Sequence, residues 1–238
     1  MVKRLYLVQV NNRYGVNACL PYSVGMIYSY ARTFPEVVGA YEMSGFLYAK
    51  EPINKAVDRL DRPDLVMISL YIWNYVWSQA FAKEVKYRFP KCIVLVGGVH
   101  VWENIPRTLI ENPQFDFAIY GEGEASAVEF LLEHSKEVPE YSRCPNLIWR
   151  VNGDIAVNPR GPLVDVSKLR SPYLDGVFDS ILPLERSWTG SSETNRGCPY
   201  RCSFLRLGDF CTRQTSYPSR RKRVWRSPMV LRSQSVLC

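Results

Sequence analysis

Between residues 4 and 134, short runs of β-branched and aliphatic residues alternate with longer stretches in which apolar positions recur every three or four residues. This is the pattern of βαβ units around a parallel sheet. Strands are expected at Arg4–Val10, Val37–Glu42, Asp64–Leu70, Cys92–Val96 and Phe115–Tyr120, and helices at Tyr22–Thr33, Ile53–Leu60, Tyr75–Phe89, Asn104–Glu111 and Ala125–His134. Pro35, Pro63, Pro90 and Pro113 fall in the connections before a strand, where a helix has to stop. The reading is a doubly wound α/β domain with a five-stranded parallel sheet over residues 1–140.

The period then changes. Asn146–Val151 and Ile155–Asn158 flank Asn152-Gly153-Asp154, a tight-hairpin signal because Asn-Gly tolerates positive φ. Residues 160–192 hold Pro162, Pro172 and Pro183 with little periodicity and read as a linker, so 141–190 is expected to be hairpin and linker. Ser192–Asn195 reads as a short strand, and 191–204 as the start of a further domain. Residues 205–238 carry Arg220-Arg221-Lys222-Arg223 and no period, and read as an aperiodic, disordered tail.

Composition changes this picture in three places. The formal net charge of +7 suggests a polyanion partner until it is located: eight of the 30 basic and one of the 23 acidic residues follow Phe204, leaving 22 of each before it. No basic face over the main domain is supported, and a nucleic-acid partner has only the Arg220–Arg223 run in its favour. No apolar run reaches the roughly 18 residues of a membrane span, and the N-terminus is too quickly polar for a signal peptide. Seven cysteines, with Cys19, Cys92 and Cys144 scattered, point to a reducing, cytoplasmic setting.

Ligands of an open parallel sheet bind beyond the carboxyl ends of its strands. Four loops should meet there: Asn11-Asn12-Arg13-Tyr14-Gly15, Ser69-Leu70-Tyr71-Ile72-Trp73, Gly97-Gly98-Val99-His100 and Gly121-Glu122-Gly123-Glu124. Gly97 and Gly98 let a flat ligand approach the backbone, or simply make a tight turn. Gly121–Glu124 can aim backbone N–H groups at a ligand, or simply begin a helix; Glu122 and Glu124 disfavour a phosphate there. Neither loop is GxGxxG, and no Walker loop is present. His100 is a candidate ligand but more simply a hydrogen-bonding residue; Tyr71, Trp73, Tyr75, Trp77 and Trp102 either cover a planar ligand or pack. Cys198 and Cys202, with Pro199 between them, suggest a loop presenting thiolates to a soft metal. An iron–sulfur cluster needs a third thiolate, which this spacing lacks.

In order along the chain, Val96-Gly97-Gly98-Val99-His100, Asp116–Glu124, Ser171-Pro172-Tyr173-Leu174 and Glu193-Thr194-Asn195-Arg196-Gly197-Cys198-Pro199-Tyr200-Arg201-Cys202-Ser203-Phe204 resemble cobalamin-binding-domain radical S-adenosylmethionine (SAM) proteins. The likeness covers about residues 1–204 and implies a B12-binding, Rossmann-like domain followed by an incomplete radical SAM barrel stub. It implies corrin binding near Asn12, Gly15, Ser69, Gly97, Gly98, His100 and Gly121–Glu124, and cluster ligation by Cys198 and Cys202. In the family a CxxxCxxC motif holds a [4Fe–4S] cluster that cleaves SAM; here Leu205 stands at the third position, and Cys211 is the alternative third ligand at an unusual spacing. The family's Asp-x-His-x-x-Gly pattern survives only as Gly15, with Val10 and Asn12 replacing its acid and histidine, so any cobalamin would bind without a histidine ligand. Similarity stops at Phe204, which reads as a frame shift or truncation that removes catalysis. The implied ancestral activity is SAM-dependent radical chemistry such as methyl transfer; the alternative is a stand-alone α/β ligand- or protein-binding module.

Overall fold

The computed structural model describes residues 2–12, 17–182, 187–193 and 196. Its elements in chain order are β1 (Lys3–Val8), β2 (Ala18–Cys19), α1 (Tyr22–Ala31), α2 (Pro35–Ala40), β3 (Tyr41–Leu47), α3 (Ile53–Asp58), β4 (Leu65–Ser69), α4 (Tyr75–Arg88) and β5 (Ile93–Gly97). Then follow α5 (Val99–Glu103), α6 (Arg107–Ile110), β6 (Phe117–Ile119), α7 (Gly123–Ser135), β7 (Leu147–Val151), β8 (Asp154–Val157) and β9 (Trp188–Thr189).

Strands β3, β1, β4, β5 and β6 lie side by side in parallel, the five-stranded doubly wound sheet expected. The hairpin β7–β8 turns at Asn152 and Gly153, both at positive φ, and pairs antiparallel with β6, so it extends the same sheet to seven strands.

Alternation along the central strands sorts two cores. Leu5, Leu7, Leu65, Met67 and Leu95 face a layer containing Val24, Ala127 and Leu131 from α1 and α7. Tyr6, Val8, Val66, Ile68, Val94 and Val96 face Val57, Phe81, Val85 and Leu109 from α3, α4 and α6. Both faces of the sheet are covered, which is why these strands read as near-continuous apolar runs.

Two differences from the sequence reading have local causes. The strand expected at Val37–Glu42 begins only at Tyr41. Pro35 opens a helical turn, its fixed φ and missing N–H suiting that position, and of the apolar pair Val37-Val38 only Val37 is buried. The helix expected at Asn104–Glu111 forms only over Arg107–Ile110, after the cis Ile105–Pro106 bond, and a separate short helix at Val99–Glu103 precedes it.

The aperiodic stretch after Pro159 also carries core. Phe178 is fully buried, and its ring lies over Gly25 of α1, where a Cβ would come within 2.4 Å of it. Val177 and Ile181 are buried beside it, and Asp175 accepts from Ser29 at 2.6 Å while pairing with Arg170. A period is absent because single side chains, not a repeating face, dock on α1. Beyond it, β9 pairs in parallel with β2. The short strand expected at Ser192–Asn195 is not formed over Ser192 and Glu193; its remaining residues lie outside those described.

Candidate functional site

The carboxyl ends of β1, β4, β5 and β6 open into a cavity of about 600 Å³ between the sheet and helices α1 and α7. Its floor is apolar: Leu7, Met67, Leu95 and Ile119 from the strands, Val24 and Ile27 from α1, and Ala127 from α7. Its rim is polar and glycine-rich, with Ser23, Ser69, Gly97, Gly98, Gly121, Glu122, Gly123 and Glu124. An apolar slot with a few polar groups at one end suits a large, mostly apolar small molecule.

The rim is held by buried hydrogen bonds. Asn74, 1% exposed, accepts from the Tyr71 N–H at 2.8 Å and donates to the carbonyls of Ser69 (2.9 Å) and Val10 (3.1 Å), tying the loops after β1 and β4 together. Gln9 accepts from the Ser23 and Val24 N–H groups at 2.8 and 3.3 Å, satisfying the start of α1, whose preceding Pro21 offers no side-chain cap. At Gly98 the backbone has φ +106°, and a Cβ there would lie 2.7 Å from the Leu70 carbonyl oxygen. The Tyr71 and Trp73 rings stack at 4.4 Å and 8°, and Tyr71 shares a 2.7 Å hydrogen bond with Ser23. Beside them Ile72 is 80% exposed, and Val99, 52% exposed, lines the cavity.

Of the residues singled out from sequence, Ser69, Gly97, Gly98, Gly121, Glu122, Gly123 and Glu124 converge on this cavity. His100 does not line it: its ring packs against Tyr75 at 4.2 Å. Asn12 is exposed, and its carbonyl accepts a weak contact from Cys19. Gly15, Cys198 and Cys202 lie outside the described residues, as does the Trp102 side chain. The other histidine of the sequence, His134, bonds Tyr141 at 2.7 Å near Lys3, at the opposite end of β1; burial pushes its pKa down to about 4. Neither histidine reaches the cavity. Among the described residues no group of three His, Cys, Asp or Glu is arranged to hold a metal ion, and no helix is long and apolar enough to cross a membrane.

Glu122 and Glu124 are more than helix-start residues. Arg196, 13% exposed, donates to Glu124 at 3.2 Å and to Glu193 at 2.9 Å, with Glu122 at 3.9 Å. Burial alone would lower the guanidinium pKa, but Glu124 and Glu193 outweigh it and hold the charge firmly in place. Sequence reasoning missed this cluster, as it missed Asn74 and Gln9. Asn before a helix is a recognisable capping type, whereas Gln9 gives no signal and the Arg196–Glu124 pair joins residues 72 positions apart.

A family model described as the B12 binding domain matches residues 40–131. The chain is 30% identical over 214 residues to the cobalamin-dependent radical SAM methyltransferase TokK of Streptomyces tokunonensis, covering 87% of this chain and 30% of that protein. It is 32% identical over 202 residues to the 2-(S-pantetheinyl)-carbapenam-3-carboxylate methyltransferase of Streptantibioticus cattleyicolor, covering 82% of this chain and 30% of that protein. The chain thus spans under a third of the length of these curated relatives. Among solved structures, the cobalamin-dependent SAM radical enzyme OxsB with aqua-cobalamin and SAM bound has the same fold, with a TM-score of 0.71 at 19% identity over 92% of this chain and 30% of that one. The radical SAM methyltransferase TsrM from Kitasatospora setae superposes with a TM-score of 0.62 at 18% identity, over 92% of this chain and 44% of that one. Over residues 40–131 the chain therefore carries a domain of the B12-binding family, and both curated relatives named above are methyltransferases, the first of them cobalamin-dependent and radical SAM.

Proposed function

We propose that this chain binds a cobalamin at the strand carboxyl ends, and that it belongs to a SAM-dependent radical methyltransferase system. The observation that carries the reading is the cavity between the sheet, α1 and α7, opening onto Gly97 and Gly98 within a domain of the B12-binding family. The donor set fits the group. Ser69 is 6% exposed, lines the cavity, and its hydroxyl makes no hydrogen bond among the described residues, so it is available to a ligand polar atom. Gly97 keeps the rim backbone bare where a bulky ring would approach. Cobalamin is larger than the cavity, so part of it would stand beyond the mouth. When bound, cobalamin supplies a cobalt centre able to carry a methyl group.

The chain's own part is to orient and shelter that group. No histidine is available to the cobalt from the cavity walls. Catalysis by these 238 residues alone is not expected, because Leu205 stands where the cluster motif calls for a third cysteine. The second reading, a module for another ligand, would draw on the Tyr71–Trp73 stack filling the rim; the open cavity beside that stack favours the first.

The test is to mix the protein with excess hydroxocobalamin, desalt it and record the visible spectrum. About one equivalent should be retained, with an unchanged spectrum in His100→Ala, and the sample should form no 5′-deoxyadenosine when given iron, sulfide, SAM and a reductant. Retention of no cobalamin would remove the reading.

A further inference from the structure

The cavity has one wall that does not come from the βαβ unit. Ser191, Ser192, Glu193 and Arg196 line it from outside, arriving from β9. The path is pinned along its length: the Ala18 N–H donates to the Ser187 carbonyl and the Leu20 N–H to that of Thr189, both at 3.0 Å. Tyr173 donates to the Ser191 carbonyl at 2.6 Å, and the Glu193 N–H donates to the Tyr22 hydroxyl at 3.3 Å. Past β9, however, the residues are Gly190, Ser191, Ser192 and Glu193, all exposed. Trp188 packs on Tyr48 at the β9 end, but no apolar side chain anchors residues 190–193, so the hydrophobic effect cannot hold that part closed. The strongest contact left at its far end is Arg196 among Glu122, Glu124 and Glu193.

We infer that residues 187–193 form a strap across the cavity, and that Arg196 is the positioning residue that locks it by engaging Glu124. The strap is one wall of the cofactor site, and a ligand as bulky as a corrinoid enters or leaves by displacing it. The inference rests on the cobalamin reading for what the cavity holds, but not for how the strap is held. The charges set the order of effects. Glu124→Gln leaves Arg196 with two carboxylates, whereas Arg196→Met leaves three carboxylates facing one another without a cation. Removing Glu124 as well relieves part of that repulsion, so the double variant should be less open than Arg196→Met alone. If Arg196 served only by packing, the double variant would be the worse of the two.

Two readouts on the full chain test this. In ligand-free protein, hydrogen exchange of the 187–193 amides should quicken at least about tenfold in Arg196→Met, less in Glu124→Gln, and in between for the double variant. Amides of β4 and β5 should keep their protection in every variant, which separates strap opening from loss of fold. In protein loaded with hydroxocobalamin, release should accelerate in the same order, with Arg196→Lys closest to the parent. Unchanged exchange at 187–193 in Arg196→Met, or additive effects in the double variant, would overturn the inference. A parent protein that takes up no hydroxocobalamin would overturn the cobalamin reading instead, and the exchange result would still decide the strap.

Discussion

Gly98→Val is expected to abolish cobalamin retention and to lower folding stability by about 3 kcal/mol. At φ +106° and ψ −179° the backbone of Gly98 occupies a region open in practice to glycine alone. A Cβ would also lie 2.7 Å from the Leu70 carbonyl oxygen and 3.2 Å from the Leu70 nitrogen, both backbone atoms that cannot swing away. The loop after β5 would have to move off the loop after β4, breaking the 2.7 Å hydrogen bond from the Leu70 N–H to the Gly97 carbonyl. Gly97→Ala is the informative comparison. Its nearest neighbour would be the Ile119 carbonyl at an ordinary 3.6 Å, so stability should hold while the added methyl obstructs the rim. Chemical denaturation and visible absorbance after desalting measure the two effects. A Gly98→Val protein as stable as its parent would contradict the backbone argument.

Phe178→Ala is expected to cost about 3–5 kcal/mol, which for a chain of this size lowers the melting temperature by roughly 6–20 °C. The ring is fully buried against Phe46 at 5.7 Å, Tyr173 at 5.3 Å and the bare face of α1 at Gly25. Its removal leaves a cavity that the rigid helix cannot fill. Leu174→Ala, four positions earlier and 62% exposed, should change stability by under about 0.5 kcal/mol. Equal effects in the two variants would mean that the stretch after Pro159 is a tether rather than part of the core.

These two sites also mark what the sequence could and could not disclose. The parallel sheet was legible because β1, β4 and β5 are buried on both faces, and uninterrupted aliphatic runs leave few other assignments. The rim was legible for a related reason: once the strand ends are fixed, the topology decides which loops meet, and Ser69, Gly97, Gly98 and Gly121–Glu124 fell into place. The second strand was misplaced because a Val-Val pair carries the same signal in a strand as in a one-sided helical turn, and Pro35 permits the turn. Phe178 was not legible at all. Its burial depends on the absence of a side chain at Gly25, a complementarity between distant residues that no local period encodes. The same holds for Arg196, whose partner Glu124 appeared from sequence only as a charge suited to the start of a helix.

The central claim, that cobalamin occupies the cavity at the carboxyl ends of the strands, is tested most directly by hydrogen exchange with and without hydroxocobalamin. Added protection is predicted at 69–73, 97–99 and 121–124, with no change at Arg62–Asp64 and Phe89–Cys92, which line a small pocket elsewhere on the molecule. Protection confined to that pocket, or none at the rim despite retained cobalamin, would contradict it.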